Sequence, residues 1–175
     1  MKYLIFLLFC ACSSAHLDVG LLERDAGDLY ACPPLGISPQ QDVSSATDTA
    51  VTWWNEQIGE QVFFLSPYVT DFSVRRGYVP PGDYDPESTT GGVAGIARLE
   101  YSEDGLITSC DITVSIDISY SWQTMVEVIK HELGHCLGLD DDPYSLDLNS
   151  IMSDPMVWRG EVTELDRELV LEMLQ

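Results

Sequence analysis

Positive charge is scarce in this chain. Of its 175 residues only 8 are Lys or Arg, against 29 Asp or Glu, for a formal net charge of −21 at pH 7. Such a surface repels phosphate backbones and anionic headgroups, which argues against nucleic acid and acidic membranes as partners. It favours solubility and bound divalent cations, although most carboxylates on so acidic a chain simply face water. Histidine is rarer still, with 3 in the whole sequence. Long apolar runs are missing too: Tyr3 to Phe9 is too short to cross a bilayer as a helix. There is no internal repeat and no complete calcium-loop motif.

The start of the chain reads as a processing segment. Lys2 precedes the short apolar run, and Ala11, Ser13, Ser14 and Ala15 follow it, the pattern of an export signal over residues 1–15. Cleavage after Ala15 gives a secreted protein. In the other reading Phe9-Cys10-Ala11-Cys12 resembles a bacterial lipoprotein box and Cys12 becomes a lipid-anchored N-terminus. Either way the expected location is extracytoplasmic. Without Lys2 the charge becomes 7 − 29 = −22, and residues 16–175 suit a single domain with a substantial core, expected to be monomeric.

Two of the histidines lie in His131-Glu132-Leu133-Gly134-His135-Cys136-Leu137-Gly138-Leu139-Asp140-Asp141. The spacing predicts a helix from Ser121, as N-cap, to Leu139. One turn puts His131 and His135 on the same face, close enough to share a small cation. Glu132 beside them is placed to take a proton from a water activated there, as a general base. Trp122, Met125, Val126, Ile129, Leu133, Cys136 and Leu137 follow core spacing, Val128 joins the histidine stripe, and Gln123, Glu127, Lys130 and Gly134 fall on a third, more polar or tightly approached side. Gly138 can take positive φ and turn the chain back, placing Asp141 as third ligand, with Asp140 and Asp142 as flanking alternatives. A bare His-Glu-x-x-His is short enough to occur in helices that bind nothing.

The stretch resembles the metzincin signature of zinc metalloproteases, and His131 to Asp140 is most similar to the matrixin branch. Where matrixins carry a third histidine this chain has Asp141, an exchange resembling the snapalysin-like members. Ser150-Ile151-Met152-Ser153 resembles the metzincin Met-turn, with Met152 as a soft floor beneath the metal. The resemblance implies an α+β zincin fold: a small twisted mixed sheet with a backing helix and an active-site helix, then a short C-terminal part with the Met-turn and a terminal helix. It implies one catalytic Zn2+ held by His131, His135 and Asp141. Gly91 to Tyr101 is similar to the segment leading into the matrixin edge strand, implying that Val93, Ala94, Gly95 and Ile96 meet an extended peptide substrate. The family's structural zinc needs histidines there, and this stretch has none. Met156 and Trp158, after the Met-turn, are implied in the wall of the primed-side pocket. Since the position of Cys136 is usually small and packed in the resembled helix, it becomes the candidate free thiol, leaving Cys32 and Cys110 as the pair.

Elsewhere Val43 to Ile58 reads as a helix with Ala46, Ala50, Val51, Trp53, Trp54 and Ile58 on its apolar face. Gln61 to Leu65, Asp71 to Tyr78 and Ile107 to Ile118 read as strands, the last by alternation of Ile112, Val114 and Ile116 with Thr113, Ser115 and Asp117. Pro80 to Thr90 is a loop whose Asp83, Asp85 and Glu87 are candidate Ca2+ ligands. Thr163-Glu164-Leu165-Asp166 caps a last helix running to Leu174. The expectation is a zinc endopeptidase acting on protein or peptide substrates. Two rivals stay open: a gluzincin-like protease taking its third ligand from Glu164 or Glu168, and a zinc-stabilised binding or adhesion module without turnover.

Overall fold

The computed structural model describes residues 33–79, 94–116, 121–141, 150–153 and 160–174. Among them the elements run β1 (Leu35–Pro39), α1 (Ser44–Ile58), β2 (Phe63–Leu65), β3 (Phe72–Gly77), β4 (Gly95–Tyr101), β5 (Ile107–Ser115), α2 (Trp122–Cys136) and α3 (Glu164–Met173). The class is α+β. Five strands form one mixed sheet in the order β2-β1-β3-β5-β4, with the pairings parallel except β4 against β5. The export segment with Cys12, Cys32, the loop bearing Asp83, Asp85 and Glu87, Val93, Asp117, Asp142, Met156 and Trp158 lie outside the described residues. No helix among the described residues is long and apolar enough to cross a membrane.

The sheet follows from two-residue alternation. On β5 Cys110, Ile112 and Val114 are fully buried toward the helices, while Asp111 on the opposite face bonds Ser73 and Arg75 of the neighbouring strand. Strand β1 is absent from the sequence reading because Leu35–Pro39 contains Gly36 and Pro39, poor strand formers. Tertiary pairing overrides that preference. β1 lies between β2 and β3, and the Phe64 ring covers Gly36 so closely that an added Cβ would come within 2.9 Å of it.

Helix α1 buries Ala46, Ala50, Val51, Trp54 and Ile58 as the pattern predicts and stops at Gly59, whose φ is 83°. Trp54 is the link to α2. Its indole N–H donates to the Lys130 carbonyl at 2.8 Å, and its ring stacks edge-on against Phe63. Part of the third stripe of α2 lies against α1, while Gln123 stays exposed. Lys130 is buried, with its ammonium 4.4 Å above the Trp53 ring and 2.9 Å from Glu127. Trp122 reverses the other way: counted in the core stripe, it is 51% exposed, because it is the first residue of the helix.

The cysteine expectation is overturned. Cys110 bonds Cys136, not Cys32, so Cys136 is no free thiol. Cys110 points inward from β5 directly beneath the end of α2, and the two Cα atoms are 5.6 Å apart, ordinary spacing for a disulfide.

Replacing Trp54 by Phe keeps an aromatic ring but removes the donor to the Lys130 carbonyl. Stability should fall by about 2 kcal/mol, read as a lower denaturant midpoint with an unchanged slope. A loss under about 0.5 kcal/mol would show that this carbonyl finds another donor.

Candidate metal centre

Ser121 starts α2 by accepting the Thr124 N–H on its hydroxyl at 3.1 Å. Ten residues on, the helix brings His131 and Glu132 into the interior at 8% and 6% exposure, with His135 half-buried one turn later. The backbone fixes both rings. His131 Nδ1 lies 2.7 Å from the Ile151 carbonyl and His135 Nδ1 lies 2.8 Å from the Leu139 carbonyl. A carbonyl only accepts, so each Nδ1 carries the proton and each Nε2 is turned toward the common space.

Asp141 closes that space. α2 ends at Cys136, Gly138 takes φ 89°, and the Leu139 N–H returns to the Gly134 carbonyl at 3.1 Å. This turn ends the helix short of the expected Leu139 and swings Asp141 back. Asp141 Oδ1 comes 3.0 Å from His131 Nε2 and 3.6 Å from His135 Nε2. The three donor atoms lie within 4.8 Å of one another. Ligands held about 2.1 Å from a tetrahedral ion are about 3.4 Å apart, so these spacings suit a small divalent cation. Two imidazoles and one carboxylate suit zinc without being specific to it. Asp140 is exposed and outside the donor group, as are Glu164 and Glu168 on α3.

Beneath α2 runs the turn 150–153. Met152 is fully buried there, and any side chain at Gly134 would run into its sulfur. Ser150 shapes the turn by accepting the Met152 N–H at 3.1 Å on its hydroxyl and the Ser153 hydroxyl at 2.7 Å on its carbonyl. The Ile151 N–H is held by the Glu161 carbonyl at 2.8 Å. Asp166, fully buried, caps α3 through the Thr163 N–H and hydroxyl and also accepts the Ser150 hydroxyl at 3.5 Å. Sequence reasoning found the cap but not this second reach. Its signal, an acidic residue at the third position of a helix, says nothing about distant partners.

Glu132 faces the sheet edge. The Ala97 N–H donates to its carboxylate. A Cβ on Gly95 would lie 2.6 Å from Val128 Cγ1 and 2.7 Å from Glu132 Oε1, so β4 approaches α2 most closely here. The Ser115 N–H bonds the Ala94 carbonyl, which sets the alternation: the backbone groups of Gly95, Ala97 and Leu99 face away from β5, along the edge with which no other described strand pairs. Of the expected substrate contacts, Gly95 stands at this edge, while Ala94 bonds β5 through its carbonyl and Ile96 turns its side chain to the other sheet face.

The charges are strongly coupled. Burial alone would push His131 down, but its hydrogen bond to Asp141 and the charges of Glu132 and Asp141 outweigh that and hold its pKa up to about 9. Burial pushes Glu132 upward, against the pull of the two imidazoles. Burial also works to raise Asp141, yet the hydrogen bond from His131 and the nearby imidazoles keep it below the usual carboxylate range.

No protein-family model matches this chain, and no curated protein matches it in sequence.

A cation must displace the proton that His131 shares with Asp141. Metal binding below pH 9 should therefore release one proton, with affinity falling about tenfold per pH unit. Titration calorimetry in buffers of different ionisation enthalpy measures it. In metal-free protein the sign reverses. A raised folded-state pKa stabilises below the unfolded value and loses that contribution as pH rises through about 9. A metal affinity independent of pH between 6 and 8 would refute the assignment of His131 as a ligand.

Proposed function

We propose that the chain is a zinc-dependent endopeptidase of metzincin type, hydrolysing peptide bonds of extracytoplasmic proteins. The observation that carries the reading is the convergence of His131 Nε2, His135 Nε2 and Asp141 Oδ1, with a buried carboxylate, Glu132, on the adjoining helix position. An inert cation site would not need an ionisable group buried beside it at a cost in desolvation. The resemblance of His131–Asp141 and Ser150–Ser153 to the metzincin motifs supports the same reading.

Zinc, when bound, supplies Lewis-acid activation of a water and of the scissile carbonyl. The chain's own groups do the rest. His131, His135 and Asp141 would hold the ion, their orientation set in advance by the Ile151 and Leu139 carbonyls. Glu132, with a pKa raised by burial, accepts the proton of the attacking water and passes it to the leaving amine. The outward backbone groups of β4 can pair with an extended substrate as an added antiparallel strand, which positions its amide beside Glu132. Ala97 spends its N–H on Glu132 and leaves its carbonyl for the peptide.

Glu132→Ala should keep the zinc content of the native protein and lose proteolysis by about 100-fold or more. Full activity in that variant would remove the mechanism. Asp141→Ala should lose metal affinity, whereas Glu164→Ala and Glu168→Ala should not. A chelator should abolish cleavage of an unfolded protein substrate. Zinc-loaded protein that never cleaves such a substrate would instead fit the binding-module reading.

Gly95→Ala tests the edge. The added methyl meets Glu132 and Val128, so cleavage should drop by about tenfold or more while zinc affinity stays within about twofold. Unchanged turnover would show that Glu132 is not held by this contact.

A further inference from the structure

The donors of the metal centre are not equally well held. His131 sits in the middle of α2, with the preceding carbonyl gripped by Trp54 and its own Nδ1 by Ile151. His135 belongs to the last turn of the helix, where the hydrogen-bond ladder runs out and ends tend to fray. Asp141 lies beyond that end, and its side chain is 47% exposed. The turn carrying it is tied back by the Leu137 and Leu139 N–H groups to the Gly134 carbonyl, by the Gly138 N–H and the Leu139 carbonyl to His135, and by the burial of Leu137 and Leu139. Cys136 stands between these two donors, and its sulfur is bonded to Cys110 in the middle of the sheet. Cys110 is in register with Phe72 of β3 and Leu99 of β4, so the link reaches strands fixed on both sides.

We propose that the Cys110–Cys136 disulfide is a positioning element of the metal centre, holding His135 and the Asp141 turn in register with His131. On this view the complete donor set forms only after oxidation. The two thiols lose two electrons and two protons to an oxidant of the disulfide class, which leaves as a dithiol, and one S–S bond forms. Both sulfurs are then buried, Cys110 at 0% and Cys136 at 1% exposure, so the link is closed to solvent in the folded chain. The inference rests on the metal-site reading. It adds that metal competence is acquired in an oxidising compartment.

The test compares metal affinity in variants that remain folded. Cys110→Ala/Cys136→Ala removes the link, and Cys110→Val/Cys136→Ala removes it while refilling part of the sulfur volume. Each is titrated with Co2+ and Zn2+ against a chromophoric chelator, and the Co2+ absorption spectrum is recorded. Ile37→Ala, a core change in β1, serves as a destabilised control that leaves the link intact. Both disulfide variants should bind at least tenfold more weakly, with an altered Co2+ spectrum, while the control binds as the native protein does.

A folded disulfide variant with native affinity and spectrum overturns the proposal. Should neither variant fold, native protein is treated with a dithiol and free thiols are counted. Loss of metal in step with two new thiols supports the proposal, and retention of metal with both thiols free overturns it. A bond that stays closed until the protein unfolds would then assign the disulfide to the fold alone and equally overturn it. If the oxidised native protein binds neither cation, the metal-site reading itself fails.

Discussion

Two backbone carbonyls decide what the paired imidazoles can do. Free in solution, each ring exchanges its proton between two nitrogens and turns about its side-chain bonds. Here the Ile151 and Leu139 oxygens hold Nδ1 of each ring as a donor, which turns the two Nε2 atoms toward Asp141. Neither carbonyl is there by local preference. The Leu139 oxygen arrives because Gly138 turns the chain back, and the Ile151 oxygen because a separate turn is driven beneath the helix.

That second turn shows how far the support extends. It depends on Ser150, on the pairing with Glu161, and on the buried carboxylate of Asp166 at the head of α3. Met152 fills the space between the turn and Gly134, which must lack a side chain for α2 to come so close. On the opposite flank Gly95 makes the same concession to Glu132. Two glycines thus mark the two places where backbone or floor is pressed against the helix. Burying Glu132 and His131 together costs desolvation, and the geometry offsets it by placing opposite charges and the Ala97 N–H within reach.

Much of the local structure is legible in the chain. The spacing of apolar residues gives α1 and α2, alternation gives β5, Thr163 and Asp166 mark the start of α3, and Gly138 marks the end of α2. These signals are local because hydrogen bonding and side-chain spacing within one element create them. The misreadings share the opposite origin. β1 is a strand against its own composition because neighbours on both sides pair with it. The partner of Cys110 depends on which residue lies above β5 once the helix is laid across the sheet, and no count of cysteines contains that.

Local sequence carries the candidate donors and their order: two imidazoles one turn apart, a carboxylate between them, a glycine able to reverse the chain and an aspartate after it. It could do so because one helical turn and one left-handed residue are fixed by backbone geometry alone. Packing chose which carbonyls orient the rings, what closes over Glu132, and which strand is tied to the end of the helix. Those contacts join residues many positions apart, and their identity follows from packing, where shape and burial select the partner.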